Sequence, residues 1–170
     1  KKAGGHTLIL SGDVPLLRKE SMEALLSQHE KNKNVLTLVT TCVTDPFGYG
    51  RILRSGKKLT GIREQADASA KECKIQEINA GIYCFETKFL LEALDSISDK
   101  NQQGEFYLTD AVSYLVKKKK RVEGFEFADS SETLGINDRV QLAKAEVILQ
   151  ERINRNWMLA GVTLHRPETI

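Results

Sequence analysis

The sequence predicts an α/β fold built on a mixed sheet, and three observations lead there. Short apolar or β-branched runs alternate along the chain with segments whose apolar residues fall three and four apart. A two-stranded hairpin pattern is inserted among them. No internal repeat or low-complexity linker interrupts the alternation across 170 residues, a length that one domain, or most of one, can fill with a sizeable core.

The elements follow in order. "TLIL" (residues 7–10) reads as a strand, and its run Leu8-Ile9-Leu10 is apolar enough for burial on both faces. Met22, Leu25 and Leu26 mark a helix that "NKN" (32–34) breaks. "VLTLVTTCV" (35–43) is rich in β-branched residues and reads as a second strand. "RILR" and "KLTGIRE" pair as a hairpin across Ser55-Gly56, and residues 65–74 form a loop or a short frayed helix. "IQEINAGIYCF" (75–85) is a strand in which Asn79 and Gly81 predict a bulge or a close backbone approach. Thr87 is placed to cap a helix running to Leu94. Leu108, Ala111, Val112, Leu115 and Val116 line one face of a further helix, followed by the strand "RVEGFEF". After the turn "GIND", a helix from Arg139 to about Leu159 carries a stripe of Leu142, Ala145, Leu149, Ile153 and Trp157.

Apolar residues make up 41% and charged residues 28%, ordinary for a globular protein, and the net charge of +2 argues neither for nor against nucleic acid. The one basic block, lysines 117–120, reads either as a solvated helix end favoured by the dipole or as a phosphate- or nucleic-acid-binding patch. Three cysteines without paired spacing suggest neither a disulfide framework nor a zinc site. With no signal peptide and no long apolar run, the expectation is a reduced cytoplasm. None of His6, His29 and His165 has a partner at useful spacing, so nucleophilic triad chemistry has no support. The chain opens on Lys1 and reads as a piece of something longer.

Several polar residues stand out before any family is considered. Asp13 follows a glycine at a strand tip, where an open α/β sheet binds ligands; it suits Mg²⁺ or a turn that caps its own backbone. Asn79 and Asn137 sit between apolar neighbours, where a buried amide needs a partner. Each can serve a sugar hydroxyl or acetamido group, a base edge, or a local turn. Glu64 is placed to accept from sugar hydroxyls or to pair with Arg63 or Lys58. Gly48 and Gly50 either admit a ligand to the backbone or serve a turn.

Taken in order, "LILSGDVPLL", "DPFGYGRILR", "GIREQADAS", "IQEINAGIYCF", "NQQGEFYLTDAV" and "GINDRVQLAKAE" resemble one family. It is that of the bacterial bifunctional N-acetylglucosamine-1-phosphate uridyltransferases/glucosamine-1-phosphate acetyltransferases. The resemblance runs from about Thr7 to the end of the chain, and six ordered blocks are far more specific than any one of them. It implies a Rossmann-like, glycosyltransferase-A-like nucleotidyltransferase domain of which this chain is the C-terminal portion. Residues 1–159 would be uridyltransferase, and 160–170 the junction to a left-handed β-helix acetyltransferase domain.

The implied reaction is attack of N-acetylglucosamine 1-phosphate on the α-phosphorus of UTP, giving UDP-N-acetylglucosamine and pyrophosphate for peptidoglycan and lipopolysaccharide precursors. The resemblance implies that Asp13 and Asn137 are Mg²⁺ ligands and that Ser11, Gly12 and Asp13 line the nucleotide-sugar site. It makes Gly50, Glu64, Asn79 and Asn137 contacts to UDP-N-acetylglucosamine, with Tyr107 and Thr109 lining the sugar pocket. Partners would be these small molecules, with neither nucleic acid nor membrane, in a homotrimer held by the acetyltransferase domain. Ser11, Phe47 and Ala80 depart from the family's usual Tyr, Thr and Thr. The family's glycine-rich phosphate loop, with its Arg and Lys, is not in this sequence, so the isolated chain is expected to be inactive. The alternatives are a non-catalytic sugar-nucleotide-binding remnant and a nucleotidyltransferase for another hexose 1-phosphate.

Overall fold

The computed structural model describes residues 4–170. They divide into two compact units, one taking in the chain through Ser11 together with Lys19–Ser130, the other Gly12–Arg18 with Ser131–Ile170.

The larger unit holds the sheet. Its strands are β1 (His6–Ile9), β2 (Leu36–Cys42), β3 (Arg51–Ser55), β4 (Lys58–Arg63), β5 (Glu77–Glu86) and β6 (Val122–Glu126). Their order is β4-β3-β5-β2-β6, and β1 pairs with β5. β5 runs antiparallel to β1, β2 and β3, whereas β2 and β6 are parallel, so the sheet is mixed as expected. Three helices belong to this unit: α1 (Lys19–Lys31), α2 (Thr87–Leu94) and α3 (Thr109–Lys117).

Alternation along β2 sorts the layers. Leu36 and Leu38 join Phe85 of β5 in the core with Leu90 and Ala93 of α2 and Ala111, Val112 and Leu115 of α3. Thr37, on the opposite face, bonds to His29 of α1. So α2 and α3 cover one face and α1 the other. Each fully buried Leu or Phe contributes roughly 1.5–3 kcal/mol.

Three expectations need correction here. β1 is half-buried rather than buried on both faces, and Leu10 is 47% exposed, because β1 has β5 as its one strand partner among the described residues. Thr87 is the first residue of α2 rather than its cap; its hydroxyl meets that of Thr7 at 2.9 Å and fastens β1 instead. The hairpin turn lies at Gly56-Lys57, with Gly56 at φ +60°, since Ser55 and Lys58 still pair.

The smaller unit carries α4 (Arg139–Leu159). Asp138 caps it by accepting from the Gln141 N–H at 2.7 Å, while the Gln141 side chain accepts from the Asn137 N–H at 2.6 Å. The expected apolar stripe is not buried: Leu142, Leu149, Ile153 and Trp157 are all exposed, and only Ala145 of the stripe is covered. Among the described residues, this unit has no second long helix or strand to lay against it. No described helix is long and apolar enough to cross a membrane.

Candidate functional site

In the larger unit, the bulge anticipated at Asn79 and Gly81 shapes the site. Leu38 pairs with Tyr83 and Thr40 with Asn79, so β5 bows outward between those positions. Gly81 sits there at φ +73°, and a Cβ on it would come within 2.3 Å of Ser11 Oγ. The Ser11 hydroxyl donates to the Gly81 carbonyl at 3.2 Å. Both halves of the sequence expectation hold: a bulge, and a close approach only glycine permits.

Asn79 is half-buried and locally held. Its Nδ2 donates to the Tyr83 hydroxyl at 2.6 Å, its Oδ1 accepts from the Gly81 N–H at 3.2 Å, and its backbone N–H donates to the Gly50 carbonyl at 2.9 Å. One amide proton and one lone pair remain for a ligand. Burial pushes the Tyr83 phenol far above its ordinary value, so it stays a neutral hydroxyl.

Glu64 follows β4 and turns inward. Its Oε1 accepts from the Thr109 hydroxyl at 2.7 Å, so it is not spent on Arg63, which pairs with Glu72 at 3.3 Å. Gly50 lies against this carboxylate: a Cβ there would stand 2.9 Å from Ile62 Cγ2 and 3.2 and 3.3 Å from the two Glu64 oxygens. Gly48 differs. It has φ +86° and open space around it, which is turn service.

Ser11, Glu64, Asn79, Tyr107 and Thr109 line one cavity of about 300 Å³, together with Tyr83 and Phe106. That is near the lower end of small-molecule sites. Hydroxyls, an amide and one carboxylate, set among aromatic rings, suit a polyhydroxylated ligand with apolar faces. Tyr107 donates its hydroxyl to Gln103.

Sequence reasoning missed Tyr83, Phe106 and the support beneath Gly50. Arg51 is 1% exposed; it donates to the Tyr49 carbonyl and to Gln65 Oε1 at 2.7 Å. Gln65 in turn accepts from the Gly48 N–H at 3.2 Å, so one buried guanidinium braces the whole glycine loop. Nothing in "GYGR" shows that its arginine is buried. Lysines 117–119 are exposed, as a solvated helix end would be, and Lys120 is half-buried. Lys120 places its ammonium 4.5 Å above the Phe89 ring, and Lys119, Lys120 and Arg121 share a cleft with Arg54, Lys57 and Lys58.

In the smaller unit, the Ile136 N–H donates to the Asp13 carbonyl at 2.9 Å, which sets Asp13 beside the Asn137 segment. Arg152 donates to the Leu16 carbonyl at 2.7 Å, and the buried Glu132 accepts from the Arg18 N–H at 2.9 Å. Gly12, Asp13 and Asn137 are exposed, so the Asn137 amide is not one that burial obliges to find a partner. Neither the Asp13 carboxylate nor the Asn137 side-chain amide is bonded to another described residue, which leaves two hard oxygens able to hold a divalent cation of the Mg²⁺ class.

The family model for nucleotidyl transferases matches residues 1–158. The bifunctional protein GlmU of Streptococcus equi subsp. zooepidemicus is 49% identical over 164 residues, 96% of this chain and 36% of that protein. Its namesake from Syntrophotalea carbinolica is 48% identical over 164 residues, 96% of this chain and 35% of its own length. The chain thus spans about 36% of the length of the curated relatives it matches. Among solved structures, a Bacillus anthracis protein described as a glucose-1-phosphate thymidylyltransferase, in complex with sucrose, aligns over 99% of this chain and 66% of its own. Its TM-score is 0.64 at 17% identity, a likeness of fold.

Proposed function

Because the chain belongs to the nucleotidyl transferase family, matched over residues 1–158, we propose that the protein makes UDP-N-acetylglucosamine and pyrophosphate from UTP and N-acetylglucosamine 1-phosphate. The observation that carries this reading is the convergence of Ser11, Glu64, Asn79, Tyr107 and Thr109 on one cavity. In it, Glu64 accepts from sugar hydroxyls with the lone pairs that Thr109 leaves free. Asn79 offers its remaining N–H and lone pair to the acetamido group, and Tyr83 and Asn79 hold each other in place for it. The flat faces of Phe106 and Tyr107 cover the apolar side of the sugar ring. Ala80 is buried and lacks a hydroxyl, so the amide of Asn79 does the recognition without a neighbouring Thr.

Asp13 and Asn137 would hold Mg²⁺, which when bound neutralises phosphate charge. The remaining contribution of the chain is alignment: a rigid sugar site holds the 1-phosphate in one orientation, and fixing that geometry is worth several kcal/mol in a reaction with little covalent work for the protein. Gly12 leaves its segment free of a side chain beside the phosphates. In the same reading, residues 1–159 are uridyltransferase and 160–170 lead toward an acetyltransferase domain. The whole protein would work in the cytoplasm as a homotrimer, upstream of peptidoglycan and lipopolysaccharide synthesis.

Calorimetry of the chain with UDP-N-acetylglucosamine and UDP-glucose, and pyrophosphate release by the whole protein, test the proposal together. The N-acetylated ligand is expected to bind at least about tenfold more tightly, with Asn79→Ala removing that preference. Preference for the plain sugar would instead indicate a different hexose phosphate. Binding without pyrophosphate release in the whole protein would indicate a binding module.

A further inference from the structure

On the face of the sheet opposite the main core, β1, β5 and α1 bring together residues far apart in sequence. Leu8 pairs with Cys84, so His6, two residues before Leu8, lies on the same face of β1 as that pair. α1 lays His29 over this face. One ring nitrogen of His6, one of His29 and the Cys84 sulfur all lie within 4.8 Å of one another. The rings of the two histidines meet edge to face, with centroids 4.8 Å apart at 86°. Glu30, next to His29 on the helix, places its carboxylate 3.8 Å from His6 Nε2.

A second, independent observation concerns His29 alone. It is fully buried, and its Nδ1 is taken by the Thr37 hydroxyl at 2.9 Å, a residue that also accepts from Asn34 Nδ2 at 2.9 Å. Its Nε2 is buried and has no hydrogen-bond partner. A buried polar atom left so costs about 1–3 kcal/mol. An imidazole whose Nδ1 is held by a second group keeps its Nε2 for a metal, the arrangement found behind metal-bound histidines.

We propose that His6, His29 and Cys84, with Glu30 as fourth donor, form a binding site for a divalent transition-metal ion of the zinc class. Two imidazoles, a thiolate and a carboxylate are the donor types such an ion takes, whereas Mg²⁺ takes oxygen. A tetrahedral Zn²⁺ with bonds of about 2.0–2.3 Å holds its donors roughly 3.3–3.8 Å apart. His6 Nε2 and Glu30 already stand at 3.8 Å, and the exposed His6 side chain can rotate inward. Binding displaces the thiol proton of Cys84 to solvent and forms the sulfur–metal bond, and the two histidines bind neutral through ring lone pairs. The ion's two positive charges are then balanced by one thiolate and one carboxylate, so no net charge is left in a half-buried site. Burial, and next the Glu30 charge, pushes the free thiol up to about 11, so uptake strengthens as pH rises. The ion would clamp the four-residue strand β1 to α1 and β5, and β1 leads directly into Ser11.

Cobalt(II) reports the site by spectroscopy. Titrating Co²⁺ into the reduced, metal-stripped chain is expected to give one equivalent bound, with a thiolate-to-cobalt charge-transfer band that Zn²⁺ abolishes and excess Mg²⁺ leaves intact. Cys84→Ala should lose the band, and His6→Ala should weaken affinity at least about tenfold. Cys42→Ala and Cys73→Ala should change neither. Zn²⁺ should raise the Tm of the unaltered chain and not that of His6→Ala, a comparison that stands even if Cys84→Ala fails to fold. No stoichiometric uptake, or a band that survives Cys84→Ala, overturns the proposal and leaves the His6–His29 contact as ring packing.

Discussion

Glu64 and Thr109 lie 45 residues apart in sequence and meet at 2.7 Å, hydroxyl to carboxylate. Thr109 is the first residue of α3 and is itself 7% exposed, so the bond joins the helix end to the loop after β4. Thr109→Val keeps the shape and removes the donor. UDP-N-acetylglucosamine affinity is expected to fall about fivefold, one ordinary hydrogen bond, with Thr109→Ser restoring it. Calorimetry reads this directly. Unchanged affinity in the valine variant would mean that Glu64 needs no such hold.

The two glycines of "FGYGR" separate space from backbone freedom. Gly50→Ala drives a methyl into Ile62 and the Glu64 carboxylate, so it should cost about 1–3 kcal/mol of stability and weaken sugar-nucleotide binding as well. Gly48→Ala meets no neighbour but must hold φ +86°, a strain of roughly 1–2 kcal/mol with binding unchanged. Urea unfolding paired with calorimetry distinguishes them; equal loss of binding in both would show that the Gly50 contact is not what matters.

Gly81 and Ser11 supply a test of the bulge. Gly81→Ala places a methyl 2.3 Å from Ser11 Oγ in a left-handed backbone. Ser11→Ala removes that oxygen. The double variant is therefore expected to be more stable than the sum of the two single changes predicts, by about 0.5 kcal/mol or more, while remaining below the unaltered chain because the backbone strain persists. Strict additivity in a thermal or urea series would place Ser11 elsewhere.

These residues show what the sequence made legible. "EINAGI" announced its bulge because an amide and a glycine inside an apolar run have few other uses, and α4 runs from Arg139 to Leu159, as the helical spacing after the "GIND" turn reads. Exposure was harder to read. The stripe on α4 has helical spacing yet lies in water, because periodicity says which residues share a face and not whether anything covers it. β1 failed for the same reason: three apolar residues in a row do not reveal how many strand partners a strand has, and β1 has one among the described residues. The His6, His29 and Cys84 cluster was hidden because its members lie on three elements, and only strand register and helix placement bring them together.

Acid stability should depend on one pair between β3 and β5. Arg54 grips Glu77 with both ends of its fork, Nε to Oε2 at 2.7 Å and Nη2 to Oε1 at 2.6 Å. These hydrogen bonds, working against burial and aided by the Arg54 charge and a Thr40 bond, hold the Glu77 carboxyl below its ordinary 4.5. A folded-state value below the unfolded one means that the unfolded chain binds the extra proton. The pair's contribution is thus fully present above about pH 4.5 and is lost as pH falls through the lower folded value. Glu77→Gln keeps the shape and cannot titrate, so it should be less stable near neutrality and converge on the unaltered chain in acid. Urea midpoints from about pH 3 to about pH 7 measure this. Glu123 also titrates low in the fold, where Asn34, Asn32 and Arg121 outweigh its burial, so some acid loss will remain in the variant. A gap between the two chains that stays constant across the whole range would assign the stability of this corner to packing of Arg54 over Gly124 rather than to the charge on Glu77.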